Sequence, residues 1–258
     1  MTTLFNNSDI AVIISHKDCW DGAASAWVAS EFFAEAGRHA NVHYCQYGDA
    51  PPADEELAGR DVYILDFSFP RETLLRLESL ARSLTVLDHH HTAKEALEGL
   101  SCCTFDMSRA GCQLTWDHFF PGQTPPPALA YIADRDLWRW ELPWSKEVAA
   151  TLTGISPSTE AFEAYNDSLD ANNFDATVEK GHGLLEFFEV LYEKALTKSF
   201  YVELLRTKIL FVPTLQVLSS ELGNYAATRS LEKVACVFSV GSNGVTLSFR
   251  TVDGVDAS

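Results

Sequence analysis

The chain has 258 residues, with 19 basic and 36 acidic side chains and a formal net charge of −17. Hydrophobic residues at 47% and charged residues at 21% make a globular balance, which excludes wholesale disorder and suits one large domain or two small ones. The acidic excess excludes a general nucleic-acid coat or an anionic-membrane binder, which need broad basic surfaces, but not a small phosphate held by a few local cations.

Met1–Asp9 lacks a basic region, and the apolar run Ile10–Ile14 is too short for a signal peptide. No stretch approaches the ~18 apolar residues of a spanning helix. Six cysteines (Cys19, Cys45, Cys102, Cys103, Cys112, Cys236) form no CxxC pair and read as free thiols of a reducing cytoplasm.

In chain order, Ile10–Ser15 reads as a buried strand and Asp21–Ala36 as a helix with apolar residues at helical spacing. Strands are predicted at Val42–Tyr47, Val62–Phe67, Leu84–Leu87 and Cys102–Phe105. Helices are predicted over Arg71–Arg82, near Thr92–Leu97 and near Ala110–Phe119. This alternation predicts an α/β fold, a mostly parallel sheet flanked by helices. Pro121–Pro127 ends the series, and a helix runs from Ala128 towards Asp134. Ser158–Lys198 is helical and acidic, a solvated face on connecting helices. Strand-like runs return at Lys208–Val212, Val234–Val240 and Val245–Arg250, with a helix over Ser220–Ser230, so a small second α/β domain is expected. The predicted division is 1–155, a helical linker over 156–203, and 204–258.

The chemistry sits where strands stop. The first runs into Ser15-His16-Lys17-Asp18-Cys19-Trp20-Asp21-Gly22, the third into Asp66, and the fourth into Asp88-His89-His90-His91. The carboxyl ends of parallel strands share one edge, where ligands bind. Asp134-Arg135-Asp136 is a further contributor. Imidazole and carboxylate together suit Mn better than Mg, and a carboxylate can bridge two cations. Asp66 is the bridging candidate. Each residue taken singly has a plainer reading: a helix cap for Asp21 or Asp66, a hydrogen-bonded structural histidine for the others. Three such places at one sheet edge favour the site.

These residues resemble the DHH phosphoesterase superfamily, whose members include RecJ-type exonucleases, nano-RNA and cyclic-dinucleotide phosphodiesterases, family II pyrophosphatases and exopolyphosphatases. The ordered set His16-x-Asp18-x-x-Asp21-Gly22, Asp66 and Asp88-His89-His90 carries the resemblance. The first motif spaces its acids three apart, where many members use two. The resemblance implies His16 and Asp18 on one metal, Asp21 on the second, Asp66 bridging, and His89 on the second metal. It implies His90 against the scissile phosphate and Asp88 in support. A later acid completes the set, Asp134 in preference to Asp136. Two Mn2+ ions are implied, with Mg2+ or Co2+ as substitutes, and a water between them as nucleophile.

Around this set, Arg109 at a helix entry and Lys17 in the first motif are candidate phosphate contacts, each with a surface role as the plainer alternative. Trp138 and Trp140 offer base stacking, although packing is the commoner fate. Residues 204–258 resemble the beginning of the family's second domain, with Ser219-Ser220-Glu221-Leu222-Gly223 as helix entry and Arg250 as a substrate contact. The family's glycine-rich motif is not found after Gly254-Val255-Asp256, so that domain is expected to be incomplete. The expected partners are a small phosphorylated substrate or short oligonucleotide, with no membrane and no long duplex DNA; a homodimer is left open. The expected activity is Mn-dependent cleavage of phosphodiester bonds in short oligonucleotides or cyclic dinucleotides. Pyrophosphate or polyphosphate hydrolysis, and a non-catalytic binding protein that keeps the fold, are the alternatives.

Overall fold

The structure, a computed structural model, describes residues 10–204, 206–241 and 244–252. The chain divides into two compact units, Met1–Ala149 with Ile155–Val178 and Ala150–Gly154 with Glu179–Ser258.

The first unit holds a five-stranded, all-parallel sheet in the order β2-β1-β3-β4-β5, formed by β1 (Ala11–His16), β2 (Ala40–Cys45), β3 (Asp61–Leu65), β4 (Ser83–Asp88) and β5 (Cys103–Phe105). Strands covered on both faces read as continuous apolar runs, and Ala11–Ile14 is wholly buried. Alternate residues separate the two faces. Val12, Ile14, Val62, Ile64 and Val86 join Leu74 and Leu77 of α3 (Arg71–Leu80) in one core cluster. Tyr63 points the other way, its ring 5.6 Å from Phe33 of α1 (Trp20–Glu35) and 5.0 Å from Phe119 of α5 (Gly111–Phe119). The short helices α2 (Asp54–Leu57) and α4 (His91–Ala96) complete the alternation with the strands. Beyond it lie α6 (Pro127–Asp136), α7 (Ser145–Ala150), α8 (Thr159–Ser168) and α9 (Phe174–Leu196).

Chain order reverses between β1 and β3, since β1 leads outward to β2 while β3, β4 and β5 continue on the other side. A crevice opens at such a switch point, outside the carboxyl ends of the strands.

Two local differences from the predicted elements matter. The strand expected over Val42–Tyr47 occupies Ala40–Cys45. Its pairing with β1 ends at Cys45 opposite His16, and a turn follows in which Asp49 Oδ2 accepts from the Gln46 amide at 3.0 Å and Gly48 takes φ +98°. The stretch expected as helical over Ser158–Lys198 breaks between α8 and α9, where Asp170 Oδ1 accepts from the Asn172 and Asn173 amides.

The second unit carries a four-stranded mixed sheet in chain order, β6 (Phe200–Leu204), β7 (Thr207–Pro213), β8 (Val234–Gly241) and β9 (Gly244–Thr251), with β7 and β8 parallel and the outer pairs antiparallel. Leu210, Val212, Ala235 and Val237 pack with Leu222, Ala226 and Ala227 of α10 (Ser219–Arg229) and with Phe188 and Tyr192 of α9. β6 was not expected as a strand.

Candidate metal centre

β1, β3 and β4 deliver their terminal residues to one edge. Ser15 Oγ donates to the carbonyls of Gly22 at 2.7 Å and Leu65 at 3.2 Å, tying the exit of β1 to that of β3. The Asp66 amide donates to Leu87 O at 2.9 Å, and Asp66 then takes φ 54°, a conformation aspartate adopts more readily than most residues.

Asp66 is the hub. Its Oδ1 lies 3.1 Å from His89 Nε2 and its Oδ2 3.5 Å from His16 Nδ1. Two groups of three ligand-bearing side chains result: His16, Asp66 and His90 in one, Asp21, Asp66 and His89 in the other. The ligand atoms within each lie no more than 4.8 Å apart. His89 Nε2 also lies 3.6 Å from Asp21 Oδ2 and 3.5 Å from Asp136 Oδ2.

Each member is held from behind. Asp21, buried at the start of α1, accepts from the backbone amides of Gly111 at 2.6 Å and Cys112 at 2.8 Å. The amides that open α5 therefore serve a carboxylate of the protein. Only glycine fits at 111: a Cβ there would sit 2.6 Å from Asp66 Cβ and 3.0 Å from Asp21 Oδ2. Gly22 is equally confined, since a Cβ would lie 2.3 Å from His16 O. Fully buried Asp88 accepts at Oδ1 from the amides of His89 and His90 and lies 2.6 Å from His90 Nδ1. That contact fixes the His90 ring and leaves Nε2 as its other nitrogen.

The electrostatics follow from crowding. Burial, then the Asp66 and Asp136 charges, push the Asp21 carboxyl well above its ordinary range. Burial and Asp66 raise Asp136. Burial would raise Asp66 as well, but His16 and His89 outweigh it and hold it below the carboxylate range. Burial lowers His89, yet contact with Asp66 and the charges of Asp21 and Asp136 prevail and raise it to about 9. Three carboxylates thus converge on one imidazole, an arrangement that a cation relieves. Asp66 Oδ2 and His16 Nδ1 are buried without a hydrogen-bond partner, as is Asp88 Oδ2. Imidazole nitrogens and carboxylate oxygens in these positions fit divalent transition ions.

The remaining predicted site residues fall in several places. Asp136, not Asp134, faces His89. Residues two apart on a helix are turned ~200° from each other. Asp134 points the other way and is buried, accepting from the Glu141 amide at 3.0 Å, from the Leu142 amide and from Ser145 Oγ. Of the two acids weighed for the last ligand, the structure thus places Asp136 beside His89 and Asp134 among backbone amides and Ser145. Asp18 is exposed at φ 54° and belongs to neither group, whereas His90, expected outside the ligand shell, joins His16 and Asp66. Lys17 is exposed. Arg109 pairs with Asp117 Oδ2 at 2.6 Å and donates to Gln113 O at 3.0 Å, the surface alternative. His91 lies 3.5 Å from Glu95 Oε1, one turn along α4. Trp138 and Trp140 meet edge to face at 5.0 Å. In the second unit Arg250 donates to Ser248 Oγ, Phe249 O and Ser220 Oγ, while Gly254, Val255 and Asp256 lie outside the described residues. Among the described residues no helix is long and apolar enough to cross a membrane.

No family model matches the sequence. An uncharacterized protein of Acanthamoeba polyphaga mimivirus is 24% identical over 212 residues, 78% of this chain, which spans about half (50%) of that protein's length. Three solved structures share the architecture. RecJ from Thermus thermophilus in complex with Mn2+ has TM-score 0.55 and 15% identity, covering 97% of this chain and 46% of its own. A manganese-bound exonuclease RecJ has TM-score 0.52 and 16% identity over 97% and 80% of the two chains. An exopolyphosphatase-related protein from Bacteroides fragilis has TM-score 0.50 and 12% identity over 95% and 79%. With its parallel sheet, its second small sheet and this likeness, the chain shares the fold of the RecJ exonucleases and of the exopolyphosphatase-related protein.

Proposed function

We propose that the chain is a metal-dependent phosphoesterase that hydrolyses phosphodiester bonds of short oligonucleotides or cyclic dinucleotides, with two Mn2+ ions. The observation that carries the reading is Asp66, one buried carboxylate shared by two groups of three. His16 and His90 would hold one ion with Asp66. Asp21, His89 and Asp136 would hold the other. Bound there, the ions would supply the Lewis acidity that activates water and neutralises phosphate charge.

The protein's own groups do the rest. The Gly111 and Cys112 amides keep Asp21 oriented through turnover. Asp88 anchors the His90 ring at Nδ1, so that Nε2 would hold the ion or, as the family pattern implies, face a phosphate oxygen. The metal-bearing part is residues 1–155. The net charge of −17 supports short substrates, because a long polyanion is repelled along its length.

The test is metal content of the purified protein together with a turnover screen in Mn over dinucleotides, cyclic dinucleotides, pyrophosphate and bis-nitrophenyl phosphate. Two equivalents of metal with dinucleotide hydrolysis are expected. Rapid pyrophosphate hydrolysis alone would move the chain to the pyrophosphatase side. Metal without any turnover would leave a binding protein.

A further inference from the structure

Tyr47 has no role in the proposed metal chemistry, yet it lies against it. β2 stops at Cys45 opposite His16, so Tyr47 sits on the turn just beyond the carboxyl edge of the sheet. Its ring centroid lies 5.9 Å from that of His16 and 6.0 Å from that of His90, at 70° and 81° to them, and 5.1 Å from Phe67. His16 and His90 are themselves 5.7 Å apart, so the tyrosine borders both imidazoles of one group. Three rings brace it on the inner side, and the Gln46–Asp49 turn fixes its backbone. It is nevertheless 54% exposed. A large aromatic ring, held in place by its neighbours and half open to solvent at the mouth of a polar crevice, is a preorganised stacking surface.

Resting on the phosphoesterase reading, we infer that Tyr47 is a specificity-determining residue, which stacks on the base of a nucleotidyl group whose phosphate lies at His16, Asp66 and His90. Stacking tolerates any base, because every base has a π-face. It gives nothing to a substrate without a ring. The site therefore selects nucleotide esters over inorganic pyrophosphate.

The experiment compares Tyr47→Ala and Tyr47→Phe with the unaltered protein, in Mn, on a dinucleotide and on the same dinucleotide with an abasic residue. Adenosine monophosphate binding by calorimetry and metal content are measured alongside. Tyr47→Ala should raise KM for the base-bearing substrate at least tenfold, leave kcat within about threefold, and leave the abasic substrate unchanged. Adenosine monophosphate should bind about tenfold more weakly, with metal content retained. Tyr47→Phe should behave as the unaltered protein, since the ring and not the hydroxyl does the work. Equal losses on both substrates, or loss of metal, would make Tyr47 a brace for the histidines and overturn the inference. So would adenosine monophosphate binding that is unchanged in Tyr47→Ala, or not measurable in the unaltered protein. If no phosphodiester is hydrolysed, the proposed function fails on its own, while the monophosphate isotherm still decides the role of Tyr47.

Discussion

The two edges of the parallel sheet treat the same residue type in opposite ways. At the amino edge, Asp61 opens β3 and accepts from Arg82 Nε at 2.8 Å, Ser83 Oγ at 2.7 Å and Arg38 Nη2 at 3.3 Å. The Arg82 hydrogen bond leads the groups that hold its carboxyl well below the usual range. At the carboxyl edge Asp21, Asp66 and Asp136 gather around His89, and burial with mutual repulsion drives Asp21 and Asp136 upward. One edge balances its charge with guanidinium groups and stabilises the fold. The other concentrates negative charge around imidazole, an arrangement that a divalent cation would relieve.

The largest effect is expected at Asp66, the hub of the carboxyl edge. Asp66→Asn replaces a shared carboxylate by an amide with one oxygen. It should strip both ions and lower turnover by roughly a thousandfold or more, with the circular dichroism spectrum retained. Two tightly bound Mn in that variant, measured by elemental analysis, would end the bridging assignment.

Next in size is the pair on α6. Asp136→Asn should lose one metal equivalent and roughly 10–100-fold in activity. Asp134→Asn should keep both ions and cost stability, about 1–3 kcal/mol for disturbing a buried, multiply bonded acceptor. Urea melts and metal analysis of the two variants separate the roles, and the reverse pattern would restore Asp134 as the ligand.

Gly111→Ala brings a methyl group to 2.6 Å from Asp66 Cβ. Overpacking of this kind costs about 1–3 kcal/mol, and the displaced Asp66 should bind metal more weakly. Gly223→Ala, in the second unit, meets Arg250 Cγ at 2.7 Å, on a flexible side chain that can move aside. Its melting temperature should fall less, and its metal affinity should not change.

The smallest effect belongs to the amino edge. The folded carboxyl of Asp61 is depressed, so its contribution is fully present above the unfolded value of ~3.9 and is lost progressively as pH falls from there through the depressed folded value. Asp61→Asn should cost about 1 kcal/mol at pH 7, and the difference from the unaltered protein should shrink steadily as pH falls below ~3.9. Metal content should be unaffected, which sets the two edges apart. A difference that does not shrink as pH falls below ~3.9 would show that packing, not charge, is lost.

Much of this was legible in the chain. Alternating apolar runs and amphipathic stretches fix a parallel sheet, because covered strands must be apolar throughout and their crossovers must be helical. Polar residues placed right after such runs must then share an edge, which brings His16, Asp21, Asp66, His89 and His90 together before any coordinate is known. What lay beyond sequence was the direction of each side chain and the distant partner that claims it. Whether Asp134 or Asp136 faces His89 depends on how far α6 runs and how it is rotated, and Ser145 and the amides of residues 141 and 142 settle that. That the α5 amides hold Asp21 depends on a contact across 90 residues of chain. The place of Tyr47 at the crevice depends on where pairing with β1 ends, two residues earlier than its β-forming sequence suggests. Local pattern determines which elements form and which ends carry charge; tertiary packing alone decides which groups meet, because those distances are set by the register and rotation of whole elements.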